Sequence, residues 1–429
     1  IGHQIDEIFK FHVSMPLEER QKRALSLLDD VNLPDPERIM SAYPHELSGG
    51  QRQRSMIAMA LALGPKILIA DEPTTALDVT TQAQILQLIK NMQRRLGTGV
   101  LFITHDFGVV ADIADRVIVM QEGLIVESGT STQVLNKPKH KYTKSLIAAI
   151  PRLKPRKTRK RSEEVVVETS ALNKSFGNGR SFLGFGRRAR TVDAVVDVNI
   201  ELRKGETLGV VGESGSGKST LARCIIRLID SDTGMVQLNG VDITTLKRNE
   251  MRQHRKFIQM VFQDPFASLN PRSKVGDIIS QGPMLQGIEK IKAHQRAREL
   301  LDVVGLDSKA FDRFPHEFSG GQRQRIGIAR ALALDPDILV ADEPVSALDV
   351  SIQAQILDLL DQIRKEMDLS MLFITHDLRV AAQVCDFVAV MQKGRVVEVG
   401  ATNKLFTQPE HEYTKSLLDA VPGKDWHFA

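Results

Sequence analysis

One segment of this chain is written twice. "HELSGGQRQRSMIAMALALGPKILIADEP" starts at His45, and "HEFSGGQRQRIGIARALALDPDILVADEP" starts at His316, 271 positions later. The same offset relates Tyr43 to Phe314, Asp71 to Asp342, His105 to His376, Tyr142 to Tyr413 and Pro151 to Pro422, with no insertion between them. A repeat held in register over that span means two copies of one domain, and it constrains the architecture before any local propensity is weighed.

The copies are unequal. "GESGSGKST" at 212–220 occurs once, and the first copy's equivalent of Lys218 would fall before Ile1. The expected organisation is an incomplete first copy at 1–151, a basic linker at 152–164, a complete second copy at 165–422 and a tail at 423–429. A chain of 429 residues, 42% hydrophobic and 26% charged, has the composition of globular domains with real cores. No apolar run approaches the roughly 18 residues needed to span a bilayer. Cys224 and Cys385 lie among apolar neighbours on expected helices and read as buried free thiols.

The formal charge of +4 is local in origin. "RLKPRKTRKR" at 152–161 carries seven basic residues, so the rest of the chain sums to −3. The run reads as a solvated linker, with anionic lipid headgroups as the secondary reading.

Short continuous apolar runs at 206–212, 337–342 and 371–376 predict buried parallel strands. From Ser351 onward, Ile352, Ile356, Leu359, Ile363 and Met367 fall at helical spacing, and the stretch from Phe387 predicts a hairpin turning at Lys393 and Gly394. Alternating strands and helices predict an α/β fold around a mainly parallel sheet.

The loop Gly212, Glu213, Ser214, Gly215, Ser216, Gly217, Lys218, Ser219 and Thr220 fits G-x-x-x-x-G-K-[ST], after a predicted strand and before a predicted helix. Its glycines let backbone amides close around phosphate oxygens, Lys218 reaches the β- and γ-phosphates, and the Ser219 hydroxyl is placed for Mg²⁺. Asp342 and Glu343 end an apolar strand. Beside a phosphate loop they read as a Mg²⁺ ligand and as the group that polarises the attacking water. His376 also ends a strand, 34 residues after Asp342, as His105 follows Asp71. Ser48, Gly49, Gly50 and Gln51, and again Ser319, Gly320, Gly321 and Gln322, open helices and offer backbone amides to an anion.

Together these motifs, with the "SALD" loop at 346–349 and "ITHD", resemble an ABC-type ATPase over essentially the whole chain. "FQDPFASLNPR" from Phe262 and the tails "KPKHKYTKSL" and "QPEHEYTKSL" are similar to the oligopeptide/dipeptide importer branch, including its tandem members and nickel importers. The resemblance implies a P-loop ATPase fold with a helical signature subdomain in two copies, the first incomplete, and ATP and Mg²⁺ as cofactors. It implies Gln263 as a loop residue on Mg²⁺ and Phe176 as the adenine-stacking aromatic, where tyrosine is more usual. It also implies head-to-tail pairing. The second copy's loop, with Gln263, Asp342, Glu343 and His376, would then face Ser48–Gln51, while Ser319–Gln322 would face Asp71, Glu72 and His105 in a site without a phosphate loop.

The implied function is ATP hydrolysis coupled to peptide import. The implied partners are two integral membrane permeases and a periplasmic or extracellular solute-binding protein, with no nucleic acid. The chain would sit at the cytoplasmic face of the inner membrane. The alternatives are a ribosome-acting tandem ABC protein, disfavoured by the short, proline-bearing segment between copies, and a truncated product with little activity.

Overall fold

The computed structural model describes all residues except 75, 76, 158, 178–190, 347, 425 and 427–429. Position 347 of the "SALD" loop, one linker position and part of the C-terminal tail therefore lie outside the described residues. The chain divides into two compact units, Ile1–Ala148 with Ala420–Ala429, and Ala149–Asp419. Among the described residues no helix is long and apolar enough to cross a membrane.

The second unit is built on a six-stranded sheet ordered Ile258–Val261, Ile338–Asp342, Ser370–Thr375, Thr207–Val211, Phe387–Gln392, Arg395–Ala401. The first five strands run parallel, and only the last pairs antiparallel, closing the predicted hairpin. Thr207–Val211, Ile338–Asp342 and Ser370–Thr375 are buried at every position. That burial is why their sequences are continuous apolar runs and not alternating ones. Leu208, Val210, Ile338, Val340, Leu372 and Ile374 share one core with Leu221 and Ile225 of the helix Lys218–Ile225. A second, antiparallel sheet contains Val192–Arg203, Val165–Phe176, Thr233–Leu238 and Val241–Asp242. Helices Val275–Leu285, Lys290–Val303 and Gly320–Leu332 form the helical part of the unit.

The first unit has a largely helical core, with Ile5, Phe9, Leu28, Ile39, Leu61, Ile85 and Ile89 buried together. Its helix Val79–Leu96 shows how the sequence sets its limits. Asp78 caps the start by accepting the Thr81 amide at 2.8 Å, and Gly97 ends it in the left-handed conformation at φ 64°. Among the described residues its strands pair two by two: Ile67–Asp71 parallel with Gly99–Ile103, and Arg116–Gln121 antiparallel with Leu124–Thr130. Ile67 is 68% exposed and Leu101 51%, whereas their counterparts Ile338 and Leu372 are 0% and 2% exposed. Each such side chain leaves roughly 1.5–3 kcal/mol of burial unrealised. Ile67 and Leu101 thus present apolar strand surface, in contrast to the buried cluster formed largely by this unit's helices.

The basic run is not a fully solvated tether. Within the second unit, the Arg156 amide donates to the Ala382 carbonyl at 2.9 Å and its guanidinium to the Val384 carbonyl at 2.6 Å. Arg159 pairs with Asp386 at 3.3 Å and Arg161 with Glu206 at 2.7 Å. Charge counting treats every cation alike, and it could not show that these arginines meet buried carboxylates at the amino ends of two adjacent strands.

Both cysteines are free and buried, as expected. Burial pushes the Cys224 thiol up to about 11 and raises the Cys385 thiol as well.

Candidate active site

The fully buried strand Thr207–Val211 delivers Gly212 to the carboxyl end of the parallel sheet, and Gly217 caps the helix that follows. Two loop glycines are required by their surroundings. At Gly212, φ 151°, a Cβ would lie 2.2 Å from the Met391 carbonyl oxygen, and at Gly217, φ 105°, 2.0 Å from that of Ala194. Lys218 is 5% exposed and its Nζ folds back onto the Gly212 and Glu213 carbonyls, each at 2.8 Å. Ser214 and Gly215 form the exposed mouth of the loop, while the buried Ser216 Oγ lacks a hydrogen-bond partner. Thr220 follows on the first turn of the helix.

Neighbouring strands bring acidic groups to this loop. Asp342 ends its strand paired with Ile374, and its Oδ1 accepts the Ser219 hydroxyl at 2.9 Å. Burial pushes the Asp342 carboxyl above its usual value, with Ser219 pulling in the other direction. Glu343 sits at φ 45°, a left-handed conformation costly for a non-glycine residue and concentrated at functional sites. Its Oε2 accepts the Gln263 amide at 2.9 Å and lies 3.2 Å from His376 Nδ1. Ser219 thus bonds Asp342, Gln263 and His376 both contact Glu343, and Lys218 sits on the loop carbonyls with its charge felt at both carboxylates.

Burial works to raise the Glu343 carboxyl, but the hydrogen bond and charge of His376, helped by Lys218, hold it below its usual value. Burial likewise works to lower His376, and Glu343 lifts it above 6.5. The raised histidine stabilises the fold below its unfolded value, and this contribution fades as pH rises through the folded value. The depressed glutamate stabilises above its unfolded value, and its contribution fades as pH falls through the lowered one. The pair is intact between these limits. NMR titration of the His376 ring is expected to give a midpoint above 6.5 in the wild type. In Glu343→Gln the midpoint should drop, because burial then acts without the hydrogen bond and charge of Glu343 to oppose it, leaving Asp377 as the remaining raising charge. A midpoint unmoved by the substitution would refute the pairing.

The candidate metal ligands can be tested for fit. A hydroxyl, a carboxylate and a carboxamide oxygen are hard donors suited to Mg²⁺, and adjacent ligands in its octahedron stand about 2.9 Å apart. Ser219 Oγ and Asp342 Oδ1 already stand at that separation. Phe176 is half exposed at the end of its strand, with Lys174 Nζ 5.6 Å from its ring centre. It pairs with Val192, two residues before the Ala194 carbonyl that abuts Gly217, so the aromatic lies near the loop.

The signature segments are built alike. Ser48 Oγ accepts the Gln51 amide at 3.2 Å and Ser319 Oγ that of Gln322 at 3.4 Å, while each glutamine side chain bonds its serine amide in return. Their glycines are not equivalent. A Cβ on Gly49 or Gly320 would meet nothing closer than 3.6 Å, but on Gly50 it would lie 2.6 Å from Thr81 and on Gly321 2.4 Å from Ile352. The first glycine keeps the helix mouth open, and the second permits close packing of the next helix. The sequence assigned both to the anion.

The first copy reproduces the acidic strand end. Glu72 has φ 44°, its amide bonds the Ile103 carbonyl at 2.9 Å, and its carboxylate lies 3.0 Å from His105 Nδ1. Both side chains and Asp71 are more exposed there than in the second copy.

Two loop contacts were missed by sequence reasoning. The Gly394 amide, at the predicted hairpin turn, donates to the Ser216 carbonyl at 2.9 Å, and Tyr413 Oη accepts the Glu213 amide at 3.2 Å. The duplicated "YTKSL" was the available signal for Tyr413.

The family described as ABC transporter matches residues 3–75 and 195–346. That described as Oligopeptide/dipeptide transporter, C-terminal region, matches 126–182 and 397–427, starting points separated by the repeat offset. The Glutathione import ATP-binding protein GsiA of Salmonella typhi is 46% identical over 99% of this chain and 72% of its own length. That of Escherichia coli (strain K12) is 47% identical over 98% and 72%. A solved dimer of a bacterial ABC transporter cassette is 27% identical, covering 55% of this chain and 98% of its own, with a TM-score of 0.49.

Proposed function

Because the chain belongs to the ABC transporter ATPase family, we propose that its ATP hydrolysis drives the import of glutathione or short peptides. The carrying observation is the cluster of Lys218, Ser219, Gln263, Asp342, Glu343 and His376 assembled at the carboxyl ends of parallel strands. Import of this solute class is supported by the C-terminal region that matches at the end of both copies and by the relatives' glutathione import.

In this reading Phe176 stacks on adenine, and the loop amides with Lys218 hold the β- and γ-phosphates. Ser219, Asp342 and Gln263 would hold Mg²⁺, which when bound neutralises phosphate charge. Glu343, kept ionised by His376, accepts a hydrogen bond from the attacking water and orients it in line with the γ-phosphorus. Ser48, Gly49, Gly50 and Gln51 close the site from the first copy, completing a composite site. Its support is that the chain carries both a phosphate loop at 212–220 and a signature segment at 48–51. The partners are two integral membrane permeases and a solute-binding protein, with the chain peripheral at the cytoplasmic face of the inner membrane.

Gentle-detergent isolation of the natively expressed protein, with mass spectrometry of what it retains, tests the reading. Two integral membrane permeases are expected. Ribosomal proteins in their place would overturn import in favour of a role in translation.

A further inference from the structure

Tyr413 belongs to the duplicated "YTKSL" stretch, for which the nucleotide chemistry above has no use. It is the second residue of the helix Glu412–Asp419 and is 8% exposed. Its hydroxyl accepts the amide of Glu213, the second residue of the phosphate loop, at 3.2 Å.

The start of that helix is fixed from the sheet. Glu398, on the last strand, accepts the amides of Glu410 at 2.9 Å and His411 at 3.1 Å, and His411 Nδ1 in turn accepts the Tyr413 amide at 3.1 Å. The hairpin bearing Glu398 also holds the far side of the loop through the Gly394 amide on the Ser216 carbonyl. The phosphate loop is thus held at Glu213 and at Ser216 by the C-terminal part of its own unit.

The repeat supplies an internal comparison. In the first unit Glu127 accepts the amides of Lys139 at 2.8 Å and His140 at 3.0 Å, and His140 Nδ1 accepts the Tyr142 amide at 3.2 Å. The same bracket is built there without a phosphate loop beneath it, and Tyr142 is correspondingly less buried than Tyr413. The bracket is therefore built from contacts within the C-terminal part of each copy, which suits a support on which a loop is seated.

We propose that Tyr413 is a positioning residue of the nucleotide site. Its hydroxyl fixes the stem of the phosphate loop so that the amides beyond it stay aimed at phosphate, lowering the ordering cost of binding. The proposal rests on the reading of this loop as an ATP site.

Tyr413→Phe removes only the hydroxyl, and Tyr142→Phe removes its counterpart. Equilibrium titration of the full chain with MgATP is expected to show Kd rising about two- to tenfold in Tyr413→Phe, the worth of one hydrogen bond in a folded protein. Steady-state KM should rise with it while kcat changes little. Tyr142→Phe should bind as the wild type does, although both variants lose the same group. Unchanged affinity in Tyr413→Phe, or equal weakening in both variants, would overturn the proposal while leaving the ATP site intact. A wild-type chain that does not bind MgATP would overturn both.

Discussion

Glu343→Gln is expected to reduce steady-state phosphate release by about 10²–10⁴-fold, the range for loss of a positioned general base, while MgATP still binds. Glutamine keeps the length of the side chain and can still bond to Gln263. It cannot carry the negative charge that His376 and Lys218 sustain at this position. The backbone at Glu343 is already held left-handed, with its amide on the Ile374 carbonyl at 3.0 Å, so the substitution alters chemistry more than geometry. Phosphate release and nucleotide binding, measured on the same preparation, separate the two effects. Loss of both would mean that Glu343 supports the loop and does not act on water. The matched change Glu72→Gln alters the first copy's pair with His105, and it should affect turnover less than Glu343→Gln.

The parts of this site legible in the sequence are those where spacing dictates position. The phosphate loop had to follow a strand and start a helix. Asp342 and His376 had to reach the same sheet edge, because each terminates an apolar run. The predicted strands are present because burial on both faces leaves a continuous apolar signature, and the hairpin turns at Lys393 and Gly394, both at positive φ. Less legible were contacts that depend on where the chain returns after a long excursion. Tyr413 lies 200 residues from Glu213, and no local pattern marks the approach of its hydroxyl to that amide. Arg161 reaches Glu206 across 45 residues, and composition alone assigned it to solvent. The two glycines of each signature segment are identical as letters. Only the neighbouring Thr81 and Ile352 side chains distinguish the second from the first.

Ser48→Arg is expected to lower hydrolysis by about 10²-fold or more, the scale of losing a preorganised anion-stabilising element, whereas Ser319→Arg should leave it almost intact. Each substitution removes an equivalent cap: the serine hydroxyl that accepts the amide of Gln51 or Gln322. Each also adds a cation at a helix N-terminus, where the dipole opposes it. The cost to the host helix is therefore similar, about 0.5–2 kcal/mol for the cap, and melting temperatures of the two variants provide the control for folding. What differs is the opposing half-site. In the proposed composite site the loop at 212–220 faces the signature at Ser48, whereas the signature at Ser319 belongs to the loop's own copy. Turnover of the purified chain as a function of MgATP decides the matter. Strong loss at Ser48 alone supports pairing of the loop at 212–220 with the Ser48 signature. Equal losses would mean that both signatures face a phosphate loop, and the asymmetric arrangement would then be wrong.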